Sequence, residues 1–271
     1  MSALEQFITG RLIEGRAYFT REEALDALGC TEGSLGAALR RQIRKNRLAS
    51  PRQGFYLILR PEDQTTGPDP SRWIDPLMKF LQVDYRISLL RAATHHGGSH
   101  QAAMTFQVVV PQQLRPMIIG RHRVAFIYQS PLIFKPLNNA EWLDSLKTEA
   151  GYAQVAGVEL TLFDCVRYFH KAGGINHVAQ IVKDIGGKAK LKKLTQLAAY
   201  FENTNVRRLG YLLALTGHKR QANALAPFIG KAKNFAPLDP AVRPMHAMST
   251  DDALKSDEWL LTTHEPIEVD F

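Results

Sequence analysis

Apolar residues near the start of the chain recur at helical spacing. Leu4, Phe7, Ile8, Leu12 and Ile13 fall on one face and predict a first amphipathic helix. The stretch YFTREEALDALGC follows. Within it, Thr20 and Glu23 have the spacing of a capping box, in which hydroxyl and carboxylate each satisfy an otherwise unpaired backbone amide. The helix opened there carries Ala24, Leu25, Ala27 and Leu28 as its apolar positions. It stops at Gly29, because a residue without Cβ readily takes the left-handed turn that ends helices. Thr31 caps a third helix running to about Lys45. Beyond it, residues 48–50 and 55–59 predict two short strands joined by Pro51-Arg52-Gln53-Gly54. Helix, helix, turn, helix, hairpin is the order of a winged helix-turn-helix, so residues 1–60 are expected to form one.

Residues 60–76 hold four prolines, a glycine and several small polar residues, the composition of an interdomain linker over 61–75. Trp73 and Ile74 within it predict that the segment packs on a surface. From residue 76 the pattern is mixed. Residues 77–81 and 87–96 read as helices. Residues 106–110 are a β-branched run, and 121–128 alternate, so both read as strands. Residues 147–156 around Gly151 predict another hairpin. Then the period turns helical over 158–170, 175–185, 191–201, 206–216 and 222–229. The expected fold class is α+β: an N-terminal winged helix-turn-helix, then a mixed domain over 76–271 with a small sheet and a helical bundle.

The third helix has two unlike faces. At 100° per residue, Leu35, Ala38, Leu39 and Ile43 share one arc, which predicts packing against the first two helices. Gly33, Ser34, Ala37, Arg40, Arg41 and Arg44 share the opposite arc. Small side chains there let a backbone approach the floor of the major groove, while arginines reach guanine edges or flanking phosphates. Gly33 and Gly36 each cost about 1 kcal/mol against alanine inside a helix, a cost easier to understand if close approach matters. Arg40, Arg41 and Arg44 are therefore the candidates for groove contacts, with Ser34 as a small polar base reader. Thr31, Lys45, Arg47 at the base of the hairpin and Arg52 at its tip are candidates for phosphates.

Charge sharpens this picture. The formal charge of +8 favours polyanionic partners. Residues 40–52 hold six basic residues and no acid, residues 163–236 hold thirteen basic and three acidic, and residues 248–271 hold seven acids and one base. Lys188, Lys190, Lys192 and Lys193 form a candidate second basic patch for phosphate backbone; a solvated helix start is the plain alternative. No apolar run approaches the roughly 18–20 residues that a spanning helix needs. The start of the chain lacks the apolar core of a secretion signal. Cys30 and Cys165 are too sparse for a disulfide framework, and a reducing cytoplasm is expected.

Catalytic chemistry finds little purchase. His95, His96 and His100 lie within six residues, but no cysteine or carboxylate stands close by to complete a zinc site, so no metal is expected. A helix end terminated by Gly97-Gly98, with histidines near the negative end of the dipole, is the simpler reading. Phosphate-cradling and dinucleotide fingerprints are missing, as is a nucleophile elbow. No catalytic residue and no cofactor is assigned, and the chain is not expected to be an enzyme.

Several stretches together resemble a known family, the AbiEi-like antitoxin regulators of type IV toxin–antitoxin (abortive infection) systems. FTREEALDALGCTEGSLGAALRRQIRKNRLASPRQGFYLI resembles the winged helix of that family, and DPLMKFLQVDYRISLLRAATHHG, FQVVVP and GYAQVAGVELTLFDCVRYFHKAGGI resemble later segments in order. The last includes an E-x-T-x-x-D pattern carried here by Glu159, Thr161 and Asp164. The resemblance spans about residues 1–230, within which GHKRQANALAPFI, like the acidic tail beyond, matches no recognised stretch. It implies a repressor that binds inverted repeats of double-stranded DNA in its own promoter. It further implies a nucleotidyltransferase-like toxin as functional partner, countered without a stable complex. For the E-x-T-x-x-D pattern the residues themselves suggest a cap or structural polar contact. Two rivals remain open: a ligand-sensing winged-helix regulator without a toxin, and a nucleic-acid-processing enzyme with the winged helix as targeting module.

Overall fold

A computed structural model describes residues 2–98, 105–230, 232–240, 254–263 and 265–269. The chain divides into two compact units. The first comprises residues 1–87, 103–139 and 144–155; the second comprises 88–102, 140–143 and 156–271. The protein is α+β, with helices and mixed sheets.

In the first unit, α1 (Ala3–Ile13) starts on a capping box between Ser2 and Glu5, and α2 (Arg21–Leu28) on the expected one between Thr20 and Glu23. Gly29 ends α2 at φ 56°, the left-handed conformation its sequence position called for. Thr31 caps α3 (Glu32–Arg44) by accepting the Ser34 amide. Strand β1 (Tyr18–Thr20), not read from the sequence, joins β2 (Leu48–Arg52) and β3 (Phe55–Ile58) in an antiparallel sheet ordered β1-β3-β2. Three residues are too few to show a period, which is why β1 escaped the pattern. Leu4, Phe19, Ala24, Leu35, Leu39, Leu48, Tyr56 and Ile58 form the core beneath these elements, with Phe7 set edge-on to Phe19.

The proline-rich stretch expected as a linker is folded into the same unit. It forms the short helix α4 (Asp63–Thr66), a 3₁₀ turn at Pro70–Arg72 and then α5 (Ile74–Phe80). Trp73 and Ile74 are buried as their size demands, and the Trp73 indole N–H donates to the Pro68 carbonyl at 3.1 Å. Arg60 and Arg72 both reach Glu149. The chain thus first passes between the compact units at residues 87–88, and the stretch 61–75 lies wholly within the first, held there by its aromatic and ion-pair anchors.

A six-stranded sheet completes that unit in the order β6-β7-β5-β4-β9-β8. Its strands are β4 (Arg86–Ile87), β5 (Thr105–Val110), β6 (Met117–Ile119), β7 (His122–Tyr128), β8 (Leu143–Thr148) and β9 (Gly151–Ala156), with α7 (Pro131–Leu137) after β7. The parallel pairs are β5 with β7 and β4 with β9. The 106–110 run and the 147–156 hairpin lie in this sheet as expected. Both β4 and β6 are too short to announce themselves.

The second unit is helical: α6 (Leu89–His95), α8 (Val158–Arg167), α9 (Ile175–Ile185), α10 (Leu191–Ala198), α11 (Asn203–Leu215) and α12 (Lys219–Leu225). Residues 159–166 of α8 are buried all round, so α8 is the axis of this bundle. Its Phe163 stacks on Phe201 at 4.5 Å. A small sheet of β10 (Ala236–Pro237), β11 (Leu254–Ser256) and β12 (Leu261–Thr263) gives part of the acidic tail regular structure. Among the described residues, no helix is long and apolar enough to cross a membrane.

Candidate nucleic-acid interface

Helix α3 is the amphipathic element its sequence predicts, with one shift of phase. Leu35, Leu39 and Gln42 are buried, at i, i+4 and i+7, whereas Ile43, expected in the core, is 39% exposed. The reason is an ionic partner: Glu5 Oε1 accepts from Gln42 Nε2 at 3.3 Å and from Arg47 Nη1 at 2.9 Å. A buried amide with a charged acceptor competes successfully for the inner face.

The opposite face is open. Gly33, Ser34, Arg40, Arg41, Arg44 and the cap residues Thr31 and Lys45 are all exposed. Among the described residues, no carboxylate pairs with Arg40, Arg41, Arg44 or Lys45. The single acid of α3, Glu32, sits in the first turn beside Arg21 at 3.4 Å. These four exposed cations occupy the C-terminal half, where the helix dipole also favours positive charge. Such a face raises the local concentration of anions.

The two hairpin arginines behave differently from these. Arg47 is exposed but ion-paired to Glu5. Arg52 is half-buried: its Nη2 donates to the Arg115 carbonyl, and its guanidinium lies 5.9 Å from the centre of the Phe126 ring. Burial, and then the neighbouring charge of Arg115, pull Arg52 below the usual arginine range. The Ser2 amide, the Gln42 amide and Arg47 hold the Glu5 carboxyl down at about 2.

The lysine group expected as a second patch is drawn partly inward. Lys188 donates to the His96 carbonyl, and Lys193 donates to the Glu141 carbonyl at 2.6 Å over the Trp142 ring. Lys190 and Lys192 are exposed. Within the same basic region Arg207 is buried, bonding the carbonyls of Asn234, Trp259 and Leu260, and Arg208 reaches the Pro237 carbonyl. Burial lowers both guanidinium pKa values. Part of the net charge counted along the chain is therefore structural and does not reach the surface.

The E-x-T-x-x-D pattern is also interior. Glu159 accepts the Lys190 amide at 2.7 Å, Thr161 donates to the Ala156 carbonyl at 3.1 Å, and Asp164 accepts from the Ser88 hydroxyl at 2.7 Å. These bonds tie the starts of α8, α10 and α6 together. They are structural polar contacts, as the pattern suggested. His96 Nε2 lies 2.7 Å from the Ala156 carbonyl and His95 packs against its ring, while His100 lies outside the described residues. Cys30 and Cys165 are free thiols, and burial pushes that of Cys165 up.

Residues 86–215 match the family model described as the AbiEi antitoxin C-terminal domain. This bears out the family resemblance read from the motifs. No curated protein matches. Among solved structures, the crystal structure of the RV2827C protein from Mycobacterium tuberculosis is similar, at 16% identity and a TM-score of 0.69, over 96% of this chain and 90% of that one. At such identity the likeness is one of fold.

Proposed function

We propose that this chain, which carries an AbiEi antitoxin C-terminal domain, is a DNA-binding transcriptional repressor and the autoregulating antitoxin of a type IV toxin–antitoxin system. Residues 1–60 serve as its winged helix-turn-helix, with α3 as recognition helix and the β2–β3 hairpin as wing. One observation carries the reading: an exposed face of α3 with small residues at one end and, at the other, arginines that pair with no carboxylate among the described residues, on a platform of two capped helices.

In this reading Arg40, Arg41 and Arg44 enter the major groove, where a bidentate arginine–guanine contact discriminates bases by roughly 1–3 kcal/mol. Ser34 approaches a base edge; Thr31 and Lys45 hold the flanking phosphates and fix register, whereas Arg47 is engaged by Glu5. Two copies on an inverted repeat would present two such helices about one helical turn apart. The functional partner is a nucleotidyltransferase-like toxin, opposed without a lasting complex. The family match supports an antitoxin role; in this reading the chain acts as a regulator and not as an enzyme.

The test is replacement of Arg40, Arg41 and Arg44 together by alanine. Binding to a duplex selected from a random pool should be abolished in a gel-shift titration, with the circular dichroism spectrum unchanged because all three side chains face water. Undiminished affinity would place recognition on another surface.

A further inference from the structure

The hairpin tip expected to touch DNA through Arg52 is not a free finger. Strand β2 lies against β6 in the same compact unit. Arg52 spends a guanidinium N–H on the Arg115 carbonyl, and its guanidinium carbon lies 5.9 Å from the centre of the Phe126 ring. Gly54, also in the tip, sits against Phe80 of α5, where a Cβ would come within 3.2 Å of the ring. The tip is thus held by contacts to Phe80 of α5 and to Arg115 in the 111–116 loop.

That contact brings in a second arginine. Arg115 is exposed, and its guanidinium has no carboxylate partner among the described residues. The charge of Arg115 acts on Arg52 across this contact, and among the described residues neither arginine forms an ion pair with a carboxylate. Such an arrangement costs free energy unless an anion joins it, and a phosphodiester is the anion a DNA-binding surface meets. Arg52, fixed by its carbonyl bond and its ring, is poorly placed to reach outward. Arg115 is exposed beside the same tip and is unencumbered.

We propose that Arg115, from outside the winged helix, is the residue that contacts a backbone phosphate at the wing tip, and that Arg52 is a positioning residue that holds the 111–116 loop there. This inference rests on the DNA-binding reading above. It makes the wing and the six-stranded sheet one combined phosphate-binding edge, for which the sequence offered no signal because Arg52 and Arg115 are 63 positions apart.

The experiment measures affinity for a mixed-sequence duplex of about three helical turns as a function of salt, since phosphate contacts are independent of sequence. For R115A the slope of log affinity against log salt should become shallower by about 0.9, one counterion's worth. Between about 50 and 200 mM salt the wild-type protein should therefore lose roughly 3.5-fold more affinity than R115A. R115K should restore the slope. R52A should also weaken binding, and R115A added to it should change little more. Circular dichroism and thermal melting verify that each variant folds. A shallower slope for R52A with none for R115A would overturn the assignment and return the contact to Arg52. An unchanged slope for both, in a protein whose Arg40, Arg41 and Arg44 variant fails to bind, would sink this inference alone. A wild-type protein without affinity for duplex would sink both.

Discussion

Trp259 seats its indole on the bare backbone of Gly210. The ring is 1% exposed, and a Cβ built on Gly210 would fall inside it. Gly210 lies in the middle of α11, where glycine costs about 1 kcal/mol against alanine. The close approach explains why it is there. Arg207, one turn earlier, bonds the Trp259 and Leu260 carbonyls, so ring and main chain are held together against α11. In this way the C-terminal strands are fastened to the helical unit.

Replacing Gly210 by alanine should therefore destabilise the protein despite the better helix former. The indole has no room to retreat, so overpacking of about 1–3 kcal/mol is expected, toward the upper end of that range. A lower midpoint in urea unfolding, and earlier proteolysis of the segment after residue 254, would be the measured signs. A raised midpoint would show that Trp259 does not pack there.

Acid should loosen the N-terminal platform through Glu5. Its carboxyl titrates at about 2 in the folded protein, against about 4.3 in an unfolded chain. A depressed folded value means that the unfolded state binds the proton more readily in between. The contribution of Glu5 to stability is therefore complete above about 4.3 and is lost as pH falls toward 2. In E5Q the stability of the first unit should vary less with pH across that window than in the wild type, followed by thermal melts at stepped pH. Equal slopes would mean that the Glu5 cluster is not what acid releases.

Gly33 offers a test that separates folding from recognition. A Cβ there meets nothing within 4 Å, so the fold itself gives no reason for a glycine. G33A should leave the protein as stable or stabilise it by up to about 1 kcal/mol. If the α3 backbone approaches the groove floor, the same change should weaken operator binding. A variant that melts higher and binds as tightly as the wild type would remove the argument for close approach at this position.

Much of the fold was legible because it is local. The Thr20–Glu23 capping box, Gly29 at its left-handed turn and the apolar periods of α2, α3, α9 and α11 act within a few residues, so spacing alone reveals them. Strands of two or three residues, such as β1, β4 and β6, carry no period. They exist because a neighbouring strand supplies their hydrogen bonds. The stretch 61–75 looked like a tether because prolines and small polar residues suit tethers. Trp73 and the pairing of Arg60 and Arg72 with Glu149 outweigh that composition.

The candidate interface divides along the same line. The residue pattern by itself determined that α3 would be a capped helix with one greasy side and one arginine-bearing side, since a helix's faces follow from order alone. Which charges stay available was decided only by the tertiary structure. Arg40, Arg41 and Arg44 remain open to water, Arg47 is drawn to Glu5, Arg52 to the Arg115 carbonyl, and Arg207 into the interior. The physical reason is that a charge is spent or left free according to acceptors brought near it by packing, and those acceptors come from 42, 63 and 52 positions away.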